Sequence, residues 1–199
     1  PHLADKMLEY LDENKDSDKP FFLYMALTAP HIPLFPSKEF KGKSKIGDYG
    51  DLVMMIDDIV GRVNRKLKEI GKYDNTIVMF AADNGCAGYI NMDRINRKGH
   101  YPSYIYRGYK SHGWEGGHRI PFILSWGDRY GHVTDNSLVS LTDLYATFAD
   151  MLGYRMADDE AEDSFSFWPI LDGSGNSART DLIATSGAGY FTYLSLIHI

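Results

Sequence analysis

Three short segments carry residues whose types can hold an anion or a metal ion. His31 lies in a Pro-His-Ile-Pro run, and the prolines stiffen the loop so that the imidazole has little entropy left to lose. Asp83 and Asn84 place a carboxylate and an amide oxygen side by side, and such hard ligands suit Ca²⁺ or Mg²⁺ rather than zinc or copper. Lys110 lies in a glycine-containing stretch and can direct a fixed ammonium at an oxyanion.

Each of these residues also has an ordinary structural interpretation. Asp-Asn-Gly at 83–85 is common turn sequence, and exposed loop histidines and solvated lysines are frequent. Cys86 is a candidate nucleophile by its residue type, but no triad partner is identifiable, so a small packed thiol beside a strand end is favoured. His100 and His112 lie in the same long loop, and either can contact substrate or solvent.

Apolar periodicity predicts the elements that position these residues. Apolar side chains recur every three or four positions in three segments, and short continuous apolar runs indicate strands buried on both faces. The predicted helices cover residues 2–15, 48–72 and 141–152, and the predicted strands cover 21–27, 76–82, 120–126 and 181–185.

A strand, a long helix and a second strand between residues 21 and 82 predict the crossover unit of a parallel sheet. In such sheets ligands bind outside the carboxyl ends of the strands. His31 follows the first predicted strand and Asp83 follows the second. Lys110 belongs to the aperiodic stretch 83–119, and loops of that length are usually functional.

Composition narrows the class of protein. The chain has 199 residues, 44% hydrophobic and 24% charged, which is typical of a globular protein with a sizeable core. A formal net charge of -6 argues against nucleic acid or an anionic membrane as partner, and no apolar run is long enough to span a bilayer. The single cysteine excludes an internal disulfide and a cysteine-based zinc cluster. The chain begins inside a helical pattern, so we expect it to be a fragment.

Four segments, in order and spacing, resemble the arylsulfatase type of sulfatase. The resemblance covers residues from about 20 to 190 and includes trailing segments at 138–144 and 163–164. The four segments are Pro-Phe-Phe-Leu-Tyr at 20–24 leading to Ala-Pro-His-Ile-Pro at 29–33, Ala-Asp-Asn-Gly at 82–85, Arg-Gly-Tyr-Lys at 107–110, and Trp-Glu-Gly-Gly-His-Arg-Ile-Pro at 114–121.

The resemblance implies an α/β, alkaline-phosphatase-like sandwich with a mostly parallel central sheet flanked by helices, here incomplete. It implies Ca²⁺, or Mg²⁺ in its place, held partly by Asp83 and Asn84. It further implies that Lys110 binds a sulfate oxygen and that His31 lies near the bridging or peripheral oxygens of a sulfate ester. The substrate would be a small-molecule or glycan sulfate ester, since the aromatic residues of 89–114 suit a sugar ring and an aryl group equally.

In the family the nucleophile is a hydrated formylglycine, made from Cys or Ser in an amino-terminal motif by a maturation enzyme. This chain lacks that motif, and Cys86 lies in the wrong one, so the isolated chain is expected to be inactive. Residues 1–155 are interpreted as the carboxy-terminal half of the catalytic domain and 156–199 as the start of a smaller subdomain. Two features depart from the family pattern. Tyr109 lies where the family often has a small residue, and the tail 194–199 is a candidate for non-native sequence.

Two other functions fit the same residues. A phosphatase or phosphodiesterase of this fold would need further His and Asp ligands for two zinc ions. The histidines His31, His100, His112 and His118 keep this alternative open. An inactive homologue would bind sulfated glycans through the basic residues Arg107 and Lys110 and through aromatic residues such as Tyr104, Tyr106 and Trp114. Export to the periplasm or outside the cell is a family expectation.

Overall fold

The computed structural model describes residues 2–195, which form two compact units. Within the described residues, the first unit consists of residues 2–105 and 119–131, and the second of residues 106–118 and 132–195. The predicted boundary at residue 155 concerns subdomains of the whole protein and stays a prediction. None of the helices in the described part of the chain has the length and apolar character needed to cross a membrane.

Two helices form the helical layer of the first unit. α1 spans His2–Glu13 and α2 spans Asp48–Glu69, close to the predicted limits. Leu11 of α1 packs against Val63 and Leu67 of α2 in a buried core, because both helices place apolar residues at helical spacing on their facing sides. Gly71 adopts a φ of 68°, the left-handed conformation that commonly ends a helix.

The strands β1 (Ile77–Ala81) and β2 (Phe122–Trp126) form an antiparallel pair in the first unit. Ile77 lies opposite Trp126 and Ala81 lies opposite Phe122. The predicted strands at 76–82 and 120–126 are confirmed. Between them the short helix α3 (Met92–Asn96) follows a 3-10 turn, within the stretch predicted to lack periodicity.

The prediction of a strand buried on both faces at residues 21–27 is wrong for the described chain. The segment is not assigned to a strand, and its side chains alternate in exposure. Phe21 and Leu23 pack against the helical core, whereas Phe22 and Tyr24 are 75% and 84% exposed. A doubly buried strand needs a packed layer on each face, and residues 2–195 cover only one. The predicted parallel crossover is not formed there either, since both strand pairings are antiparallel.

The second unit combines short helices with a β-hairpin. The predicted helix at 141–152 and strand at 181–185 are confirmed, the helix beginning with a 3-10 turn. Of the tail 194–199, Leu194 and Ser195 belong to a strand, and the remaining residues lie outside the described range. The elements are α4 (Glu115–His118), α5 (Leu144–Leu152), α6 (Trp168–Asp172) and the antiparallel strands β3 (Asp181–Thr185) and β4 (Phe191–Ser195).

A buried ion pair lies at the centre of the second unit. The side chains of Asp143 and Arg179 are 0% and 1% exposed, and Nη2 of Arg179 lies 2.7 Å from Oδ1 of Asp143. The same carboxylate accepts the backbone N–H groups of Ser140 and Phe165. Nη1 of Arg179 donates to the carbonyl oxygen of Asp181, so the pair connects the start of α5 to the start of β3.

Candidate active site

Asp83 and Asn84 lie in a bend directly after β1. The Asp83 side chain is exposed, and within residues 2–195 no hydrogen bond or ion pair engages its carboxylate. Nδ2 of Asn84 donates to the carbonyl oxygen of Gly85 at 3.0 Å. This leaves Oδ1 of Asn84 as the atom that can bind a cation. A carboxylate and an amide oxygen are therefore uncommitted at the end of the strand.

The Asp83 carboxylate and the Asn84 amide oxygen fit part of a Ca²⁺ site. Ca²⁺ and Mg²⁺ prefer carboxylate and amide oxygens, and Ca²⁺ takes about six to eight of them, so the pair is a partial set. In the described part of the chain no group of three or more His, Cys, Asp or Glu residues is arranged to hold a metal ion. The ion itself stays a prediction.

His31 lies exposed in its loop, and two contacts orient its ring. Its Nδ1 lies 2.9 Å from the carbonyl oxygen of Ile32, so Nδ1 carries the hydrogen and Nε2 is left for another partner. The ring packs edge-to-face on Tyr89, with centroids 5.6 Å apart. Because Tyr89 follows Asn84 by five residues, this contact brings the His31 loop beside the segment after β1.

Lys110 lies in a loop, residues 107–113 (the Lys110 loop), that packs on α4. The N–H of Gly116 donates to the carbonyl oxygen of Arg107 at 2.9 Å. Gly116 and Gly117 are buried, and a Cβ at Gly117 would overlap the carbonyl oxygen of His112. The Gly116-Gly117 pair of the segment 114–121 therefore permits the backbone of α4 to approach the backbone of this loop.

The Lys110 ammonium is uncommitted. The residue is half-buried, and no hydrogen bond or ion pair among residues 2–195 engages its side chain. Its loop carries two ring contacts: the Arg107 guanidinium stacks 4.0 Å from the Trp114 ring, and the Tyr109 and His112 rings lie 4.1 Å apart. Tyr109, the departure from the family pattern, is thus in contact with the ring of His112, which is tilted by 36° against it.

Cys86 is a packed thiol. Its Sγ lies 3.8 Å from Oη of Tyr49 and 3.9 Å from Sδ of Met92. Burial raises the pKa of the Cys86 thiol and also the pKa of the Tyr49 hydroxyl. A neutral thiol is a poor nucleophile, which supports the packing role that the sequence favours. The ring of His100, left open by the sequence, lies 6.5 Å from that of Tyr49.

The buried carboxylate of Asp51 was missed by sequence reasoning. It is 0% exposed and accepts the backbone N–H groups of Gly42 and Ser44 at 2.7 and 2.6 Å. An acidic residue in the first turn of a helix is ordinarily explained by the helix dipole, so the pattern contained no separate signal for this role. Asp51 fixes the loop that leads into α2.

The predicted site residues divide between the two compact units. His31, Asp83 and Asn84 belong to the first, where the His31–Tyr89 contact places the two segments side by side. Lys110 belongs to the second. The convergence of Lys110 with the other three residues stays a prediction.

Comparison with known proteins identifies the family. The family model described as Sulfatase matches residues 2–154. An N-acetylgalactosamine-6-O-sulfatase of Bacteroides thetaiotaomicron is 33% identical over 184 residues, which cover 91% of this chain and 36% of that protein. An arylsulfatase of Hemicentrotus pulcherrimus is 35% identical over 168 residues, which cover 84% of this chain and 29% of that protein. The chain spans about a third of the length of these relatives.

The fold comparison agrees with the sequence comparison. A solved structure from work on the metabolism of multiple glycosaminoglycans by Bacteroides thetaiotaomicron matches with a TM-score of 0.86 and 30% identity, covering 96% of this chain and 40% of that chain. The predicted fold class is confirmed: the chain is an incomplete α/β part of an alkaline-phosphatase-like fold. By its sequence and its fold, the chain belongs to the sulfatase family.

Proposed function

We propose that the protein to which this chain belongs hydrolyses sulfate esters of carbohydrates. The reaction breaks the bond between sulfur and the bridging oxygen and adds the elements of water, giving an alcohol and hydrogen sulfate. Negative charge grows on the leaving oxygen and on the sulfate oxygens in the transition state, so fixed positive groups aimed there lower the barrier.

The state of Lys110 carries the proposal. Its ammonium has no partner among the described residues, although its loop is fixed against α4 by the buried Gly116 and Gly117. A long cationic side chain on a rigid backbone, with its charge uncommitted, suits a tetrahedral anion. We assign Lys110 to a non-bridging sulfate oxygen.

His31 and the Asp83–Asn84 pair would act on the same group. The Nδ1 of His31 is engaged by the Ile32 carbonyl oxygen, so its Nε2 donates to an ester oxygen only when the ring is an imidazolium. The oxygens of Asp83 and Asn84 would hold part of the coordination of Ca²⁺. A bound Ca²⁺ would supply positive charge to the sulfate oxygens.

The nucleophile belongs to another part of the protein. From the family resemblance we propose a formylglycine, produced by a maturation enzyme on a segment outside these 199 residues. The packed and neutral thiol of Cys86 does not replace it. This chain would therefore bind and orient the sulfate but would not turn it over by itself.

A carbohydrate substrate is favoured by the relatives. The N-acetylgalactosamine-6-O-sulfatase covers 91% of this chain, and the structure with a TM-score of 0.86 comes from work on glycosaminoglycans. The Arg107–Trp114 stack beside Lys110 adds an exposed aromatic ring, which suits the apolar face of a sugar. The arylsulfatase relative keeps aryl esters as the comparison substrate.

The test uses the full-length, matured protein with Ca²⁺. Sulfate release is measured from a sulfated N-acetylgalactosamine oligosaccharide and from 4-nitrophenyl sulfate. We expect higher kcat/KM on the oligosaccharide, loss of activity with a chelator, and recovery on adding Ca²⁺. Lys110→Ala should lower kcat by about 10²-fold to 10³-fold, the effect of one lost oxyanion donor.

Lys15→Ala is the matched control, because Lys15 is exposed in the first unit and far along the chain from every candidate residue. Unchanged turnover in Lys110→Ala would remove Lys110 from the site. Tight binding of the oligosaccharide without release of sulfate from any ester would identify a glycan-binding protein and contradict the proposed reaction.

A further inference from the structure

The backbone that follows Lys110 is bonded to the hairpin of β3 and β4. Ser111 adopts a φ of 75°, a left-handed conformation that is uncommon for a residue with a side chain. Its carbonyl oxygen accepts the N–H of Gly187 at 2.8 Å. The hydroxyl of Thr192 donates to the carbonyl oxygen of Gly113, also at 2.8 Å. Two hydrogen bonds from the hairpin therefore fix the residues next to Lys110.

Both contacts require close approach of the two segments. A Cβ at Gly113 would lie 2.5 Å from Oγ1 of Thr192, and a Cβ at Gly187 would lie 2.9 Å from Cβ of Ser111. Gly187 does not have a positive φ, so its backbone would accept alanine and only the contact with Ser111 excludes it. The glycines are therefore needed for the fit between hairpin and loop.

The hairpin itself is fixed at both of its ends. At the turn, the N–H of Ser186 donates to the carbonyl oxygen of Tyr190 at 2.8 Å, and the N–H of Tyr190 donates back to Oγ of Ser186 at 3.0 Å. At the other end, Arg179 donates to the carbonyl oxygen of Asp181 at 3.0 Å from its buried pair with Asp143. A rigid hairpin can hold a loop in one position.

We propose that Thr192 is a positioning residue for Lys110 and that the β3–β4 hairpin is part of the sulfate site. This inference rests on the proposed function, in which the Lys110 ammonium binds a sulfate oxygen. The lysine side chain has four rotatable bonds, so the position of its charge depends on how well its backbone is fixed. A small displacement of a group that stabilises the transition state costs rate even when the group is still present.

The main test is Thr192→Val in the full-length, matured protein. Valine keeps the shape of threonine but removes the hydroxyl that donates to the Gly113 carbonyl oxygen, leaving Nε2 of His118 at 3.3 Å from that oxygen. We expect kcat to fall about five- to tenfold, the rate equivalent of one ordinary hydrogen bond, with KM within about twofold. Thr192→Ser, which keeps the hydroxyl, should restore kcat to within about twofold. Thr134→Val, a matched change at an exposed residue of the second unit outside the hairpin, should leave kcat unchanged.

A double-mutant cycle separates positioning from a general effect on structure. If Thr192 acts through Lys110, Thr192→Val should change kcat by less than about twofold when Lys110 is already alanine. Hydrogen exchange gives a readout independent of turnover: the amides of His112 and Gly116, which donate to carbonyl oxygens in and beside the Lys110 loop, should exchange faster in Thr192→Val.

The outcomes distinguish the two proposals. Full turnover in Lys110→Ala overturns the proposed role of Lys110 and this inference with it. Loss of turnover in Lys110→Ala, with unchanged kcat in Thr192→Val or with effects that multiply in the double mutant, overturns this inference alone. Unchanged hydrogen exchange in Thr192→Val likewise overturns the claim that the hairpin fixes the loop.

Discussion

Removal of the Arg179 guanidinium should strongly destabilise the second unit. Arg179→Met keeps much of the aliphatic stem but leaves the Asp143 carboxylate, 0% exposed, without the donors that lie 2.7 to 3.1 Å from its oxygens. Two backbone N–H groups, those of Ser140 and Phe165, remain as its partners. Leaving one member of a buried ion pair uncompensated costs about 3–5 kcal/mol.

The assay is urea unfolding of the full-length protein, followed through a signal from the second unit. With an m-value of roughly 1–3 kcal/mol/M, a loss of that size moves the midpoint down by about 1 M or more. Arg155→Met is the matched control, because Arg155 is exposed and has no ion pair among the described residues. Its free energy of unfolding should stay within about 0.5 kcal/mol of that of the unchanged protein.

A second variant separates charge from packing. In Arg179→Met combined with Asp143→Asn, the buried position carries a neutral amide instead of an unpaired carboxylate. Much of the lost stability should therefore return, because the cost comes mainly from the uncompensated charge. A midpoint for Arg179→Met that equals the Arg155→Met midpoint would refute the reasoning. So would a double variant that is less stable than Arg179→Met alone.

Three further changes test other parts of the chain. Gly117→Ala should lower kcat by at least tenfold in steady-state kinetics, because the new Cβ would overlap the His112 carbonyl oxygen. Gly175→Ala is the control, since its Cβ would make only ordinary contacts and should leave kcat unchanged. Asp83→Ala should raise the Ca²⁺ concentration for half-maximal activity by about 10–100-fold in a Ca²⁺ titration, and an unchanged requirement would remove it from the site. Burial raises the pKa of the Cys86 thiol above its ordinary 9.0. The protonated thiol therefore contributes its full stability below pH 9, and this contribution is lost as the pH rises above that value. Cys86→Ala should make the urea midpoint fall less steeply with pH in the alkaline range.

Sequence patterns located the elements that rest on local rules. The periodicity of residues 48–72 and the glycine at 71 predicted α2 and its end, because amphipathic spacing and a left-handed C-terminal residue are properties of the segment itself. The apolar run at 76–82 predicted β1, and with it the position of Asp83 and Asn84 after a strand end. The types of the candidate site residues were likewise readable directly.

The features that depend on distant partners were not readable. The run at 21–27 has the composition of a doubly buried strand, yet its exposure depends on which layers cover it, and Phe22 and Tyr24 remain exposed in the described residues. Arg179 and Asp143 are separated by thirty-six positions, and nothing local distinguishes them from surface charges. The same holds for Thr192, whose hydroxyl is bonded seventy-nine positions away along the chain.

The arrangement around Lys110 explains why Gly113 lies at the end of the loop and why Gly116 and Gly117 lie in α4. A loop without regular structure loses much conformational entropy when it is fixed, and side-chain contacts alone hold its backbone weakly. Here the carbonyl oxygens of the loop accept hydrogen bonds from two sides. The N–H of Gly116 in α4 donates on one side, and the N–H of Gly187 and the hydroxyl of Thr192 in the hairpin donate on the other. In α4 the backbone of residues 107–112 leaves no room for a Cβ at Gly116 or Gly117, and in the loop a Cβ at Gly113 would lie 2.5 Å from Oγ1 of Thr192. The Lys110 side chain is therefore not needed to hold the loop, and its charge is available to an anion.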